Sequence, residues 1–385
     1  MSYLEPLSLD DINRGLTAHQ AGLLVEAEEI YLKLIESSPN NVDVLHLLGA
    51  LYHQIGKNLL AEKLLDSALK LEPNFPEALN ARGILNKNVG RLVEAERDFQ
   101  AAIFYKPDFP QALTNLADIY RLNMNLTEAK KLIRKAIKLA PKLAPAYNNL
   151  GAIERDLNNN KEASKAFQKA IEIDENLFEA QINIAIALNQ LGHRDKAFAA
   201  ARHGVEKAPN YAPAHNCLGS LFFNHGQIEN ARSCFIAACS FDSTYADAHN
   251  NLANTLVQLN KFEDAEAYYD IAITLEPMNP DFWANKASMF LAENKMEKAF
   301  DACEQALNIS PEHVDAKWNR AITRLICGDL SGGFADYEVR WALPEFKSRK
   351  FDSQLWTGEN LYNRSIILYS EQGLGDTIQF VRYVA

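Results

Sequence analysis

Asparagine recurs at Asn13, Asn115, Asn149, Asn183, Asn251, Asn285 and Asn319, and every interval is 34 residues or a multiple of it. Asparagine is a poor helix-interior residue, about 0.5 kcal/mol worse than alanine. Repetition at one register therefore asks for a reason. Each side-chain amide offers two donors and one acceptor oxygen, which matches a peptide backbone, itself a repeat of donor and acceptor. Two readings follow. In one, the amides line a groove and hold an extended polypeptide with little regard to its side chains. In the other, they hydrogen-bond neighbouring repeats and set the pitch of the stack.

The remaining chemistry-bearing residues are less organised. Nine histidines and five cysteines form no cluster with zinc spacing. His215 and His249 lie one period apart in a packing slot and read as substitutes for aromatics. No Ser/His/Asp set can be assembled. Cys217, Cys234, Cys239, Cys303 and Cys327 include no Cys-x-x-Cys pair, and "MSYLEPLSLD" has neither a basic nor an apolar segment of a secretion signal. Reduced thiols in a cytoplasmic setting are expected. Net charge is −11, which argues against a general nucleic-acid binder or an anionic-membrane binder. No apolar run of about 18 residues exists, so no membrane span is expected. One local exception to the acidic balance runs from Arg121 to Lys142, where Lys130, Lys131, Arg134, Lys135, Lys138 and Lys142 face only Glu128. These residues read as a solvated basic face or as a partner site.

The period extends through other columns. Prolines stand at 39, 73, 107, 141, 209, 277 and 311, with Glu175 and Ser243 in the two skipped slots. Repeats then start at residues 8, 42, 76, 110, 144, 178, 212, 246, 280 and 314. The twentieth position is alanine in nine copies, from Ala27 to Ala299, and Gly333 in the tenth. The fifteenth is glycine or asparagine everywhere except Met124. Glycine or asparagine just past a helix takes the left-handed cap conformation at low cost, so each copy is a helix, a turn and a second helix. One such pair cannot bury its apolar face alone, and stacking buries it.

Within each first helix, positions 4, 7, 8 and 11 are apolar or small, and at about 3.6 residues per turn they share one side. Positions 2, 6, 9 and 13 point away from it. The asparagines occupy the sixth position. The thirteenth adds Gln20, Gln54, Asn88, Asp156, Gln190, Asn224 and Gln258.

In "YNNLGAIERDLNNNKEASKAFQKAIEIDE" the residues Tyr147, Leu150, Gly151, Ala163, Phe167 and Ala170 match the tetratricopeptide repeat pattern, while Glu154 and Glu175 depart from it. The chain over 8–341 therefore resembles a tetratricopeptide repeat protein. The resemblance implies an all-α fold, a right-handed superhelical solenoid of about ten helix-turn-helix repeats. It also implies a polypeptide or protein partner in the concave groove. O-linked N-acetylglucosamine transferases carry a similar asparagine ladder that holds substrate polypeptides.

After the tenth copy, 342–363 reads as a linker and "SIILYS" as a short buried strand. Gly373, Leu374, Gly375 and Asp376 then turn into a helix. The phosphate-cradling pattern lacks its third glycine, since Ile378 stands in that slot. As a residue, Asp376 is a good N-cap. The stretch from Trp356 through "EQGLGDTIQFVRY" is similar to the junction in bacterial tetratricopeptide proteins that bear a C-terminal glycosyltransferase domain of double-Rossmann type. That resemblance implies that 364–385 is a β-α fragment, the truncated start of such a domain. It implies a nucleotide-sugar donor for the intact parent, no cofactor in this chain, and Asp376 as general base. The alternative is a non-enzymatic assembly or chaperone scaffold whose last residues are a structural cap.

Overall fold

The computed structural model describes residues 9–343 together with Asn360 and Tyr362. The described residues are all-helical and contain no strand. The expected linker over 342–363 falls almost wholly outside them. The strand and helix expected over 364–385, and Asp376, fall wholly outside.

The chain forms two compact units, Met1–Asn210 and Tyr211–Ala385. The first unit holds α1 (Leu9–Gln20), α2 (Leu24–Ser37), α3 (Val42–Gln54), α4 (Asn58–Leu71), α5 (Pro76–Asn88), α6 (Leu92–Tyr105), α7 (Pro110–Leu122), α8 (Leu126–Leu139), α9 (Ala144–Asp156), α10 (Asn160–Ile173), α11 (Phe178–Gln190) and α12 (Arg194–Lys207). The second holds α13 (Ala212–Asn224), α14 (Ile228–Phe241), α15 (Ala246–Gln258), α16 (Phe262–Leu275), α17 (Pro280–Ala292), α18 (Met296–Ile309), α19 (Val314–Ile326) and α20 (Leu330–Tyr337), followed by a 3-10 turn over Glu338–Ala342.

Each odd-numbered helix is joined to the even one after it by a three-residue turn whose second residue has a positive φ. Gly56 stands at φ 78° and Gly90 at 80°, and Asn158, Asn260 and Asn294 take the same conformation. Met124 does so too, at φ 58°, although a side chain with a Cβ adopts it at a cost of about 1–2 kcal/mol.

Size complementarity joins the two helices of a pair. Gly15, Gly49, Gly83, Gly151 and Gly219 lie against Tyr31, Leu65, Phe99, Phe167 and Phe235, and a Cβ built on Gly151 would stand 2.5 Å from a Phe167 ring carbon. In the other copies the glycine slot holds alanine, as Ala117, Ala185, Ala253, Ala287 and Ala321. The twentieth-position alanines from Ala27 to Ala299 are fully buried beside these contacts.

A polar bracket recurs on the same framework. Arg82 grips Asp98 with Nε and Nη2 at 3.0 and 2.7 Å and reaches Asp66 at 2.9 Å. Arg320 grips Asp336 in the same way and reaches Glu304, all at 2.7 Å. Such two-pronged pairing fixes geometry as well as charge.

Within each unit the odd helices pack on one another as well as on their even partners: α3 on α5, α5 on α7, α7 on α9 and α9 on α11, then α13 on α15, α15 on α17 and α17 on α19. Even helices pack closely on odd ones and not on one another, although Lys298 of α18 reaches Glu266 of α16 at 3.1 Å. A stack that is close on one side and splayed on the other bends, with its odd helices inside the bend. The polar side of the odd helices thus forms an inner wall in each unit.

Candidate functional site: the inner walls

The ladder asparagines are tied to the helix before them. In the first unit, Asn115 Nδ2 donates to Asn80 Oδ1 at 2.9 Å, Asn149 Nδ2 to the Thr114 carbonyl at 3.3 Å, and Asn183 Nδ2 to Asn148 Oδ1 at 3.0 Å. In the second, Asn251 donates to Asn216 and Asn285 to Asn250, both at 3.0 Å, and Asn319 to the Ala284 carbonyl at 3.0 Å. Every one of these bonds spans 35 residues, one period plus one. Stacked helices of the same register thus bring position 6 of one against position 5 of the one before.

The sixth position is therefore only partly open. Asn115, Asn149, Asn183, Asn251 and Asn285 are half-buried and Asn319 is buried, because neighbouring odd helices approach closely there. Asn13, on the first described helix, is exposed. The structure thus brings six of the seven sequence-derived residues into inter-helix bonds and leaves Asn13 apart. Asp376 lies outside the described residues.

Only part of each amide is used. Asn115, Asn149, Asn251 and Asn285 keep an Oδ1 and a second N–H with no partner among the described residues. In Asn183 the Oδ1 is taken as well, accepting from Arg155 Nη1 at 3.1 Å. Asn216 extends the network, donating to the Tyr245 hydroxyl at 3.2 Å. Burial pushes the Tyr245 phenol up to about 12, so it stays protonated.

A second row lies six residues further along the odd helices, at position 12. His19 bonds Gln54 at 2.8 Å and Asn88 bonds His53 at 2.9 Å, again 35 residues apart. Since the Asn88 amide donates to His53 Nε2, the His53 N–H is on Nδ1, which faces Asn58 Oδ1 at 3.0 Å. Arg121 Nη1 meets Asp156 Oδ2 at 3.0 Å, also 35 residues on. Its other nitrogens hold Asp118, which Lys87 holds from the far side at 3.0 Å. For Arg121, burial opposes the charge, but Asp156 and Asp118 outweigh it and raise its pKa. For Arg155, burial wins and the pKa is lowered.

A search for columns of one residue type misses this row, because its occupants change from His to Lys to Arg to Asn. The signal that would find it is a cation or histidine with an acid or amide 35 residues on.

The second unit carries the same register with different chemistry. Position 12 there is Phe223, Val257, Leu291 and Leu325. Its acids sit at position 2, as Asp247, Asp281 and Asp315. The Asp247 pKa is raised by burial, then by Glu276 and Asp281 nearby. His249 is a packed residue, stacked on Tyr268 with Nε2 3.0 Å from the Ser243 carbonyl. Among the described residues no group of three or more His, Cys, Asp or Glu is placed to hold a metal ion. No described helix is long and apolar enough to cross a membrane.

Family models described as tetratricopeptide repeats match residues 30–63, 108–176 and 250–314, and one described as TPR repeat matches 219–260. A comparison with curated proteins finds no match. Among solved structures, a tetratricopeptide repeat protein from Parabacteroides merdae ATCC 43184 is similar at 20% identity, over 64% of this chain and 98% of its own, with a TM-score of 0.52. A monomeric mutant of IFIT1 solved with Gppp-AAAA is similar at 16% identity, over 86% of this chain and 89% of its own, with a TM-score of 0.53. At these identities the likeness concerns the fold. The matched stretches, the paired helices and the shared fold identify the chain as a tetratricopeptide repeat protein.

Proposed function

We propose that the inner walls hold an extended polypeptide through their amide rows, and that the protein acts by protein–protein interaction. The observation that carries this reading is the half-used amide. Asn115, Asn149, Asn251 and Asn285 are each oriented by one bond to the preceding helix, with an acceptor oxygen and an N–H left over. Packed helices stand about 8–10 Å apart, and an extended chain advances about 3.3 Å per residue. One amide per helix therefore meets a backbone group about every third residue. Architecture and binding use different atoms of one side chain, so the two readings of the ladder coexist.

The test is fluorescence anisotropy with labelled polypeptides on Asn115→Ala/Asn149→Ala. Each lost bond to peptide should weaken binding by about 0.5–1.5 kcal/mol, roughly 5- to 150-fold for the pair, with helicity retained. Unchanged affinity with reduced thermal stability would leave the ladder an architectural device alone. Gppp-AAAA, with which IFIT1 was solved, serves as contrasting probe. Preferential binding of that RNA would overturn the polypeptide reading.

A narrower reading rests on the resemblance of Trp356 to Tyr383 alone. In it the walls are the substrate-recognition part of a protein glycosyltransferase that uses a nucleotide-sugar donor, with Asp376 as general base. In the product of the intact gene, Asp376→Asn should cut sugar transfer by about 100-fold or more with folding unchanged. Full activity in that variant removes Asp376 from the mechanism. Absence of any transfer by the wild type favours a scaffold.

A further inference from the structure

Among the described residues of the first unit's position-12 row, Arg155 is the cation with no carboxylate within hydrogen-bond distance. Its side chain is 23% exposed. Three cations stand in this row, Lys87, Arg121 and Arg155, against two acids, Asp118 and Asp156. Asp118 is shared by Lys87 and Arg121, and Asp156 gives Oδ2 to Arg121 at 3.0 Å. What remains for Arg155 is Asp156 Oδ1 at 3.9 Å from Nε, too long for a hydrogen bond, and the neutral Asn183 Oδ1 at 3.1 Å. A guanidinium carries five N–H donors, and the other donors of Arg155 have no partner among the described residues. The lowered pKa agrees with this picture: burial is the leading cause, Arg121 adds to it, and Asp156 alone opposes it.

We propose that Arg155 is a specificity residue that takes the carboxylate of an aspartate or glutamate side chain of the bound polypeptide. This inference rests on the polypeptide reading above. Three features fix the ligand chemistry. The surplus is a single positive charge, which matches a monoanionic carboxylate. The guanidinium fork suits the two oxygens of a carboxylate. Its Nη1 already touches Asn183, a ladder residue, so an acid on a chain lying along the ladder comes within reach. The second unit has no counterpart, because Phe223, Val257, Leu291 and Leu325 occupy the row. The preference for acid thus belongs to one stretch of a bound chain.

The test uses the whole protein on an array of random 15-residue peptides tethered through their C-termini, so that the only carboxylates are side chains. Retained peptides should be enriched in Asp and Glu. In solution, changing the acid of a retained peptide to its amide should weaken binding at least tenfold. Arg155→Gln should bind both forms equally, Arg155→Lys should keep part of the preference, and Leu291→Gln should keep all of it. If Arg155→Gln fails to fold, the wild type decides. Its acid-to-amide affinity ratio must shrink between 50 and 300 mM salt, since screening reaches a partly exposed pair. Retention without acid preference, a ratio indifferent to salt, or a preference that survives in folded Arg155→Gln overturns this inference while polypeptide binding stands. An array that retains nothing overturns both.

Discussion

The two inner walls share a frame and differ in surface. In each unit an asparagine at position 6 reaches back 35 residues, an alanine at position 20 is fully buried, and a large ring meets a glycine across the helix pair. Six residues on from the asparagine, the walls diverge. The first unit carries His53, Lys87, Arg121 and Arg155 in a network of acids and amides, and the second carries Phe223, Val257, Leu291 and Leu325. Positions that set the distance between helices admit few side chains, because a change of one methylene is felt in a close-packed contact. Position 12 is half-buried at the edge of the packing, so its chemistry is freer to differ. A repeat protein can thus keep one scaffold and give each stretch of its wall a separate preference.

The shared frame is tested by its rings. Phe167→Ala and Phe235→Ala each empty a fully buried site whose facing residue is glycine, with nothing nearby to refill it. Each should cost about 3–5 kcal/mol in urea unfolding followed by circular dichroism. A large disparity between the two would break the idea of one frame.

The divergence is tested by transplanting one wall onto the other. Arg121→Leu gives the first unit the residue type found at Leu291 and Leu325. It leaves Asp118 and Asp156 without the guanidinium that joins them. The side chain is 21% exposed, so solvent recovers part of the loss. We expect a destabilisation of about 2–3 kcal/mol in the same assay, short of a fully buried pair. A neutral result would mean that the charged row contributes to binding alone.

Much of this was legible beforehand. The 34-residue register, the positive-φ column and the buried alanines follow from repeated residue types, since backbone conformation and close packing select narrowly. Met124 broke its column by type yet keeps the conformation, because the surrounding helices impose the turn. What the sequence concealed was the offset. Bonds such as Asn115 to Asn80 and Arg121 to Asp156 join non-equivalent positions of successive repeats, and a comparison of like with like cannot see them. The burial of the ladder went unseen for the same reason, since it comes from the neighbouring helix and not from the helix's own amphipathic pattern.

Met124 supplies a smaller prediction, confined to the first unit. Met124→Gly removes the left-handed penalty of about 1–2 kcal/mol, offset by glycine's greater chain entropy. A net gain of about 0.5–1 kcal/mol is expected in thermal unfolding. In the second unit Asn260→Gly should change stability by only a few tenths, because asparagine tolerates this conformation.

The smallest expected effect is pH-dependent and also confined to the first unit. Burial pushes the Glu154 pKa up, but bonds from Lys130 and Asn159 and the charges of Lys130 and Arg134 outweigh it and leave it lowered. A carboxyl whose folded pKa is depressed stabilises the fold above its unfolded value, about 4.3. That contribution disappears as pH falls through the lower folded pKa. The gap in urea midpoint between wild type and Glu154→Gln should therefore be larger at pH 6 than at pH 3. An unchanging gap would show that the Lys130 pair contributes nothing through ionisation.

The 35-residue offset also bears on how such a chain changes over generations. Excising 110–143, one whole period, would bring Asn149 opposite Asn80 Oδ1, which Asn115 now occupies, and Asp156 opposite Lys87, in place of Arg121. Both rows would close again with chemically suitable partners. An excision one residue longer or shorter would rotate every later helix by about 100° relative to those before it, and neither row would close. Unequal crossing-over between repeats of a gene removes or adds whole periods. The reach of the wall is therefore adjustable in a single genetic event without redesign of either row.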